Sequence, residues 1–340
     1  MFQPQFCPYS NCSAHHKPTP EHFARHGFYK PKCRHTPVPR FRCRTCNRTY
    51  SRQSFRMDFR DHKPHQNVPL VKLLMSGVGL RQSARILSMS RRCVALKARK
   101  ICDHAAYLNQ NLRRPFRCEV RLQMDEIETY ETKRRERPVT FPILIEANSR
   151  FTIWGESGTL RPKGKMTDRR RLAIEADIRE FGERKDTSKE TVRRTLRHAI
   201  PLVKHLLTLR VQTDEKSTYP GLLKAAFGSG RIRHETTSSK EERTIKNPLF
   251  PINQTEAIAR DLNGRLRRES WLVSKQRKFL DQAFQLYMAW KNYVRPRFNR
   301  DWETPAMIAG ILKRRLRPGD LVGWRQDFGQ RKLPIVPLAA

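Results

Sequence analysis

The chain has 340 residues, a length that allows two or three domains. Its 70 Lys and Arg residues against 32 Asp and Glu residues leave a formal net charge of +38, and a surplus of that size attracts polyanions. A surface that only keeps a protein in solution needs a much smaller excess. No apolar run is long enough to cross a membrane and no secretory signal is visible, so we expect a cytoplasmic protein whose partner is a polyanion and not a membrane.

The first 58 residues are rich in Cys, His, Arg and Pro and show little helical periodicity. Cys7 and Cys12 form one closely spaced pair, and Cys43 and Cys46 form a second pair within FRCRTCNRTYS. Two such pairs can place four sulfur atoms around one tetrahedral Zn²⁺. We therefore predict that residues 1–58 form a zinc ribbon with one structural zinc ion, which stabilises a stretch too poor in large apolar residues for a core. The rival ligands in this stretch are Cys33, His15, His16 and His35.

Residues 66–112 predict a helical region. Gly77 and Gly79 interrupt its first helix, and Ser90 can cap a basic helix that we expect over residues 91–101. A short helix, a turn and a basic second helix are typical of a helix-turn-helix, whose second helix enters the major groove of DNA. The pattern predicts that Val94, Ile101 and either Leu96 or Ala98 face inward, and that five basic residues stay outside: Arg91, Arg92, Lys97, Arg99 and Lys100. A plain helical linker with a solvated basic face is the alternative.

Residues 117–270 alternate strand-like and helical stretches and predict an α/β domain with a mixed sheet. The strand-like apolar segments within 119–156 predict three sequential antiparallel strands, and the pattern of residues 188–207 predicts a helix. A basic insertion separates the two parts at 161–190. The remaining residues, 271–340, predict a C-terminal helical extension and an irregular tail. The fold class is therefore multidomain α/β.

Three acidic residues stand out in so basic a chain. Asp125 follows the alternating segment RLQM, Asp214 ends the buried strand LRVQTD, and Glu256 lies near the start of a later helix. Asp261 flanks the buried face of that helix at a similar angle, so it stays open as the third acid. Carboxylate oxygens are the ligands that Mg²⁺ prefers, so acids that converge in one pocket would hold divalent cations.

The order of these pieces resembles that of the RNase H-like fold: three strands, a helix, a strand with the second acid, and a later helix with the third. With a zinc ribbon and a helix-turn-helix before it, the chain resembles bacterial insertion-sequence transposases of the DDE type. The resemblance covers most of the chain. It is carried by the segments MDEIET, QTDEKSTY and NPLFPINQTEAIARDLNGRLRRESWLVSK.

The resemblance implies an enzyme that binds the terminal repeats of its own insertion sequence and catalyses DNA strand cleavage and strand transfer. Asp125, Asp214 and Glu256 would hold two Mg²⁺ or Mn²⁺ ions, about 4 Å apart, around the scissile phosphate. The expected partner is double-stranded DNA, both element ends and target, on which the protein would act as a homo-oligomer in the nucleoid. The candidate DNA-binding residues are Arg91, Arg92, Lys97, Arg260 and Arg267.

Two other functions stay open. The chain could be a zinc-ribbon DNA-binding regulator whose nuclease-like domain is inactive, or a related RNase H-like nuclease such as a junction resolvase or a ribonuclease. Two DNA-reading modules argue against the nuclease, because junctions and hybrids are recognised by shape. Metal-dependent strand transfer would separate the enzyme from the regulator.

Overall fold

The computed structural model describes residues 2–30, 36–117, 119–267 and 270–327, which form a mixed α/β structure. The strands are β1 (Phe23–Tyr29), β2 (Val38–Cys43), β3 (Thr49–Ser51), β4 (Arg121–Tyr130), β5 (Pro138–Glu146), β6 (Phe151–Gly155), β7 (Gly158–Thr159), β8 (Leu209–Asp214) and β9 (Ile232–Thr237). The α-helices are α1 (Ser13–His16), α2 (Asn67–Leu74), α3 (Leu80–Ile86), α4 (Arg91–Leu112), α5 (Asp168–Phe181), α6 (Ser188–Arg197), α7 (Ile200–Val203), α8 (Tyr219–Phe227), α9 (Phe250–Leu262), α10 (Arg277–Ala289), α11 (Pro305–Ile308) and α12 (Pro318–Gly323). Short 3-10 helices span Arg52–Phe55, Pro64–Gln66, Ser229–Arg231 and Gly264–Leu266, and a π-helical turn spans Trp290–Val294.

The N-terminal part is a small antiparallel sheet in the order β1-β2-β3. Its core is a cluster of aromatic rings, which includes Phe6, Phe41 and Phe55, packed beside buried Cys7 and Cys43. So few apolar side chains give a marginal core for a unit of this size. A four-cysteine cluster at its edge is compatible with the predicted zinc ribbon.

The larger sheet is mixed, with the strand order β6-β5-β4-β8-β9, and β7 pairs with β5. β4, β5 and β6 are sequential and antiparallel, whereas β8 and β9 run parallel to β4. The continuous apolar run of β5, VTFPILI, matches a strand covered on both faces. The helix expected over 188–207 is instead divided into α6 and α7. Pro201 lies in the first turn of α7 and lacks the N–H that a continuous helix would need there.

One hydrophobic core joins the helical region, the mixed sheet and the C-terminal helices. α4 packs along α10, and α10 in turn covers the sheet, where the rings of Phe141 and Phe284 lie 4.7 Å apart. Gly77, with φ +72°, lets the helical region approach α9, since a Cβ there would lie 2.8 Å from the carbonyl oxygen of Asp261. Residues 66–112, 117–270 and 271–327 therefore share a core. No helix among the described residues combines the length and apolar character that a membrane span requires.

Two predictions about the basic helix were wrong. α4 does not end near residue 101 but continues to Leu112. Lys97 is buried and not on the outer face, because its ammonium group donates hydrogen bonds to Asp61 Oδ2 (2.7 Å) and Asn67 Oδ1 (3.0 Å). Of the two candidates for the inward face, Ala98 is buried and Leu96 is 55% exposed.

Gln123 connects the three elements that carry the three predicted acids. From β4, its fully buried amide donates to Gln212 Oε1 on β8 and to the carbonyl oxygen of Pro248, each at 2.7 Å. Its Oε1 accepts from the backbone N–H of Ile252 in the first turn of α9. The position of α9 against β4 therefore depends on one side-chain amide.

Replacing Gln123 with Leu should destabilise the fold by about 3 kcal/mol, because buried polar partners on β8 and before α9 lose their hydrogen bonds. Chemical denaturation of the full chain measures this difference. Gln82→Leu, on the exposed face of α3, is the matched control and should change stability by less than about 0.5 kcal/mol. Equal stability of the two variants would contradict the role of Gln123 in holding β8 and α9 against β4.

Candidate active site and metal centre

Asp125 and Asp214 lie side by side on adjacent parallel strands. Gln123 pairs with Gln212 in the register of β4 and β8, and each aspartate lies two residues further along its strand. Adjacent strands are about 4.8 Å apart, and residues at the same level point to the same face. The pairing of β4 with β8 therefore brings two predicted acids together at the centre of the sheet.

The pKa of Asp125 is raised to about 6, mainly by burial and also by the negative charge of Asp214. The hydrogen bond from the N–H of Glu126 (2.7 Å) and the positive charge of Arg243 oppose this shift. Within the described chain, Asp125 has no ion-pair partner. Two neighbouring carboxylates with little compensation are an arrangement that a bound cation would stabilise.

Glu126 is a residue of this site that the sequence analysis did not single out as a functional group. Its carboxylate accepts hydrogen bonds from Thr140 Oγ1, Lys216 Nζ and Tyr219 Oη. Lys216 and Tyr219 follow Asp214 closely in the chain, so Glu126 ties the segment after β8 to β4. In the sequence, Lys216 and Tyr219 lie just after Asp214 in QTDEKSTY, which was the available signal. Their partner Glu126 lies about 90 residues earlier in the chain, so no local pattern connects them.

Glu256 lies in α9 and is 2% exposed, whereas the side chain of Asp261 is exposed. Glu256 Oε2 lies 3.5 Å from Arg260 Nη2, one helical turn further along. Within the part of the chain that the structure describes, only the four cysteines bring three or more potential ligand atoms within 4.8 Å of one another. The structure thus brings Asp125 and Asp214 together, and Glu256 does not complete a three-carboxylate group of that size.

The five predicted DNA-contact residues fall into two groups, Arg91 and Arg92 on the surface, and Lys97, Arg260 and Arg267 engaged within the protein. Lys97 is buried on Asp61, so its assignment as a DNA contact was wrong. Arg91 and Arg92 are exposed in the first turn of α4, where Ser90 Oγ accepts from the N–H of Cys93 and confirms the predicted cap. Arg267 is directed back onto the protein: its guanidinium donates to the carbonyl oxygens at positions 260 and 261. Only the first group is oriented freely toward solvent.

A basic cavity of about 550 Å³ opens beside β4. Glu128 lines it, three residues or about 10 Å along the strand from Asp125. Arg170 organises the loop over the cavity by donating to the carbonyl oxygens of Arg135, Lys163 and Lys165. The cationic residues that line the cavity are Arg134, Arg135, Arg161, Lys163, Lys165 and Arg170.

The four predicted cysteine ligands form a compact cluster. Sγ of Cys7 lies 3.8 Å from Sγ of Cys46, and Sγ of Cys12 lies 3.8 Å from Sγ of Cys43. Four sulfurs placed tetrahedrally at about 2.3 Å from a zinc ion would be separated by about 3.8 Å. The cluster therefore fits a structural metal ion such as zinc.

The rival histidines do not join this cluster. Nδ1 of His15 is hydrogen-bonded to the carbonyl oxygen of Cys7, and Nε2 of His16 to that of Ser10. The other two rival ligands, Cys33 and His35, lie outside the described residues.

Arg48 provides positive charge beside the thiols. Burial raises the pKa of Cys46, but hydrogen bonds from the backbone and side chain of Arg48 outweigh it and bring that pKa to about 7. A thiolate is the form that binds a metal ion, and a neighbouring cation favours it.

Comparison of the chain with protein-family models and with curated proteins gives no match.

We predict about one zinc ion per chain, lost on Cys43→Ser, because three thiolates bind zinc more weakly than four. Elemental analysis of freshly purified protein measures the metal content. Cys102→Ser is the matched control, since Cys102 is buried in α4 far along the chain from the cluster and should leave the zinc content unchanged. Wild-type protein without zinc would refute the assignment.

Proposed function

We propose that the protein is a DNA transposase of the DDE type, which binds the terminal repeats of its insertion sequence and catalyses metal-dependent strand cleavage and strand transfer. The observation that carries the proposal is the side-by-side position of Asp125 and Asp214 on two parallel strands of a mixed sheet. The strand order β6-β5-β4-β8-β9 supports it, because the RNase H-like fold implied by the sequence has three antiparallel strands followed by parallel ones.

The side chains available suit phosphoryl transfer. Asp125 would contact both divalent ions, Asp214 one of them, and Glu256 would complete the set from α9. Bound Mg²⁺ or Mn²⁺ would activate the attacking hydroxyl and stabilise the leaving 3′-oxygen. In cleavage, water attacks the phosphorus and the bond to the 3′-oxygen breaks. In strand transfer, the freed 3′-hydroxyl attacks a target phosphodiester, so no covalent protein–DNA intermediate is required.

Glu256 remains our proposal for the third acid. It is buried under the sheet on a helix that Gln123 holds against β4, whereas the side chain of Asp261 is exposed. A carboxylate has two oxygen atoms, so Glu256 could contact a metal ion while it stays paired with Arg260. Arg260 would then lie beside the metal site, where it could contact a DNA phosphate.

Two further features support DNA as the partner. α3 and α4 have the helix, turn and helix order of a helix-turn-helix, with Arg91 and Arg92 exposed at the start of the second helix. The basic cavity beside Glu128 lies about 10 Å along β4 from Asp125 and on the other face of the strand, since the two residues are three positions apart. It would bind backbone phosphates of the same DNA away from the acids. We propose that the protein acts as a homo-oligomer on DNA.

Asp125→Asn and Asp214→Asn should each lower Mg²⁺-dependent cleavage and strand transfer by roughly a thousandfold or more, because several kcal/mol of charge stabilisation is lost. Binding to DNA ends should persist. Glu256→Gln should abolish cleavage, whereas Asp261→Asn should only weaken it. Cleavage and joining of labelled oligonucleotides that carry the element ends measure these effects.

Asp168→Asn is the control for charge alone, since that side chain is 96% exposed in α5. Full strand transfer by Asp125→Asn would rule out the mechanism, and wild-type protein that binds DNA without any strand transfer would favour the inactive regulator. If Asp261→Asn had the stronger effect, the third ligand would be Asp261 and the mechanism would stand.

The joint replacement of Arg91 and Arg92 with Ala should weaken binding to the element ends by about tenfold or more, since each base contact contributes roughly 1–3 kcal/mol. Affinity for an unrelated duplex should fall less. Fluorescence anisotropy at fixed salt compares the two duplexes.

Arg85→Ala is the matched control, because Arg85 is exposed on α3 and not on the second helix. Lys97→Met should act differently: it leaves the carboxylate of Asp61 without its cation and should lower stability by about 3 kcal/mol. An equal loss of binding to both duplexes in the double variant would make these arginines phosphate contacts only.

A further inference from the structure

Five cationic side chains gather at the start of β4, away from the paired aspartates. Arg121 is the first residue of β4, four residues or about 13 Å along the strand from Asp125. The other four are Arg150, Lys291, Arg295 and Arg297. These groups are close enough to repel one another. The positive charges of Arg295, Arg150 and Arg297 lower the pKa of Lys291, and those of Arg297 and Arg121 lower the pKa of Arg150.

Aromatic rings and backbone groups hold two of these guanidinium groups. That of Arg150 lies between the rings of Phe250 and Phe298, at 5.5 and 5.6 Å from their centroids. Arg297 donates from Nη1 to the carbonyl oxygen of Asn148 (3.3 Å). Arg150 also has φ +63° in the turn between β5 and β6, a conformation that is uncommon for a residue with a Cβ. The cations are therefore held in place and not spread over the surface.

The cluster is short of acceptors. Lys291 is a buried residue, 1% exposed. Nη1 of Arg150 and Nε of Arg121 are buried without a hydrogen-bond partner in the part of the chain that the structure describes. Burial, together with the neighbouring guanidinium charges, lowers the pKa of Lys291 to about 7. Burying cations without acceptors is costly.

The nearby acids are already engaged. The carboxylate of Glu146 accepts from the backbone N–H of Asn148 and of Ser149 and from Ser149 Oγ. Asp301 Oδ2 accepts from Arg297 Nε at 2.8 Å. The charge of Glu146 raises the pKa of Arg150 and offsets part of its burial, but no ion pair joins Glu146 or Asp301 to Arg150 or Lys291 among the described residues, so a bound oxyanion would supply acceptors that these groups lack.

We propose that Arg150, Lys291 and Arg121 form a binding site for a phosphate-type oxyanion, with Arg295 and Arg297 at its rim. A guanidinium presents two N–H groups to one oxyanion, and an ammonium group adds a compact charge. The ligand is a phosphate group, either a backbone phosphodiester of DNA or free inorganic phosphate. The site does not depend on the transposase assignment, because it rests on the cation cluster alone.

Thermal unfolding of the full-length protein, titrated with inorganic phosphate against chloride at constant ionic strength, tests the site. The wild-type melting temperature should rise with phosphate. Lys291→Met should melt at or above the wild-type temperature without phosphate, since a buried cation is removed, and its apparent affinity for phosphate should fall about tenfold or more, as expected when a charge-assisted contact is lost. Arg150→Lys keeps the charge and loses the bidentate contact, so it should also weaken the response.

Lys224→Met is the matched control, because Lys224 is exposed on α8 and belongs neither to this cluster nor to the basic cavity beside Glu128, so the phosphate response should stay unchanged. Adding a short duplex without element ends distinguishes the two sources. A duplex that suppresses the phosphate response in wild type identifies a DNA phosphate as the ligand, and an unchanged response identifies free phosphate. Equal phosphate responses in wild type, Lys291→Met and Arg150→Lys would overturn the site.

Discussion

Two carboxylates held side by side by two parallel strands are the constraint on which the rest of this protein depends. The pairing of β4 with β8 ends two residues before the aspartates, so the sheet brings Asp125 and Asp214 close together and the charge of Asp214 acts on Asp125. In a chain with a net charge of +38, an arginine paired with both carboxylates could cancel this repulsion. The nearby Arg243 is exposed instead, and it lowers the pKa of Asp125 through its charge without an ion pair. A site kept acidic within so basic a chain suits metal ions that act on a polyanion.

The surrounding polar network keeps this arrangement rigid. Gln123 fixes β8 and α9 to β4 from below the acids, and Glu126 fixes the segment after β8 from the opposite side of the strand. Each network group has its partners inside the protein, so it costs little to bury and restricts the geometry. In this view Gln123 and Glu126 position the acids, and the acids alone would contact metal ions.

Local sequence patterns were enough to predict several strands and the cysteine cluster. Alternation around RLQMD and the apolar run of LRVQTD were enough to predict β4 and β8 and the end of β8 at Asp214, but Asp125 lies in the middle of β4 and not at its end. The spacing of the cysteine pairs was enough to predict the four-thiol cluster. What local pattern could not predict was pairing across the chain: Lys97 looks like any exposed helical lysine until Asp61, 36 residues earlier, is brought beside it. The same holds for Gln123 and Pro248, which are 125 residues apart, and for the cations around Lys291.

The central claim is that Asp125 and Asp214 together hold a divalent cation. Crystals of the full-length protein soaked in MnCl₂ test it most directly, through anomalous scattering recorded at the manganese absorption edge. We predict an anomalous peak between the two carboxylates, with oxygen ligands at about 2.1 Å, as expected for a small hard divalent ion. Manganese peaks elsewhere, with none between Asp125 and Asp214, would contradict the account.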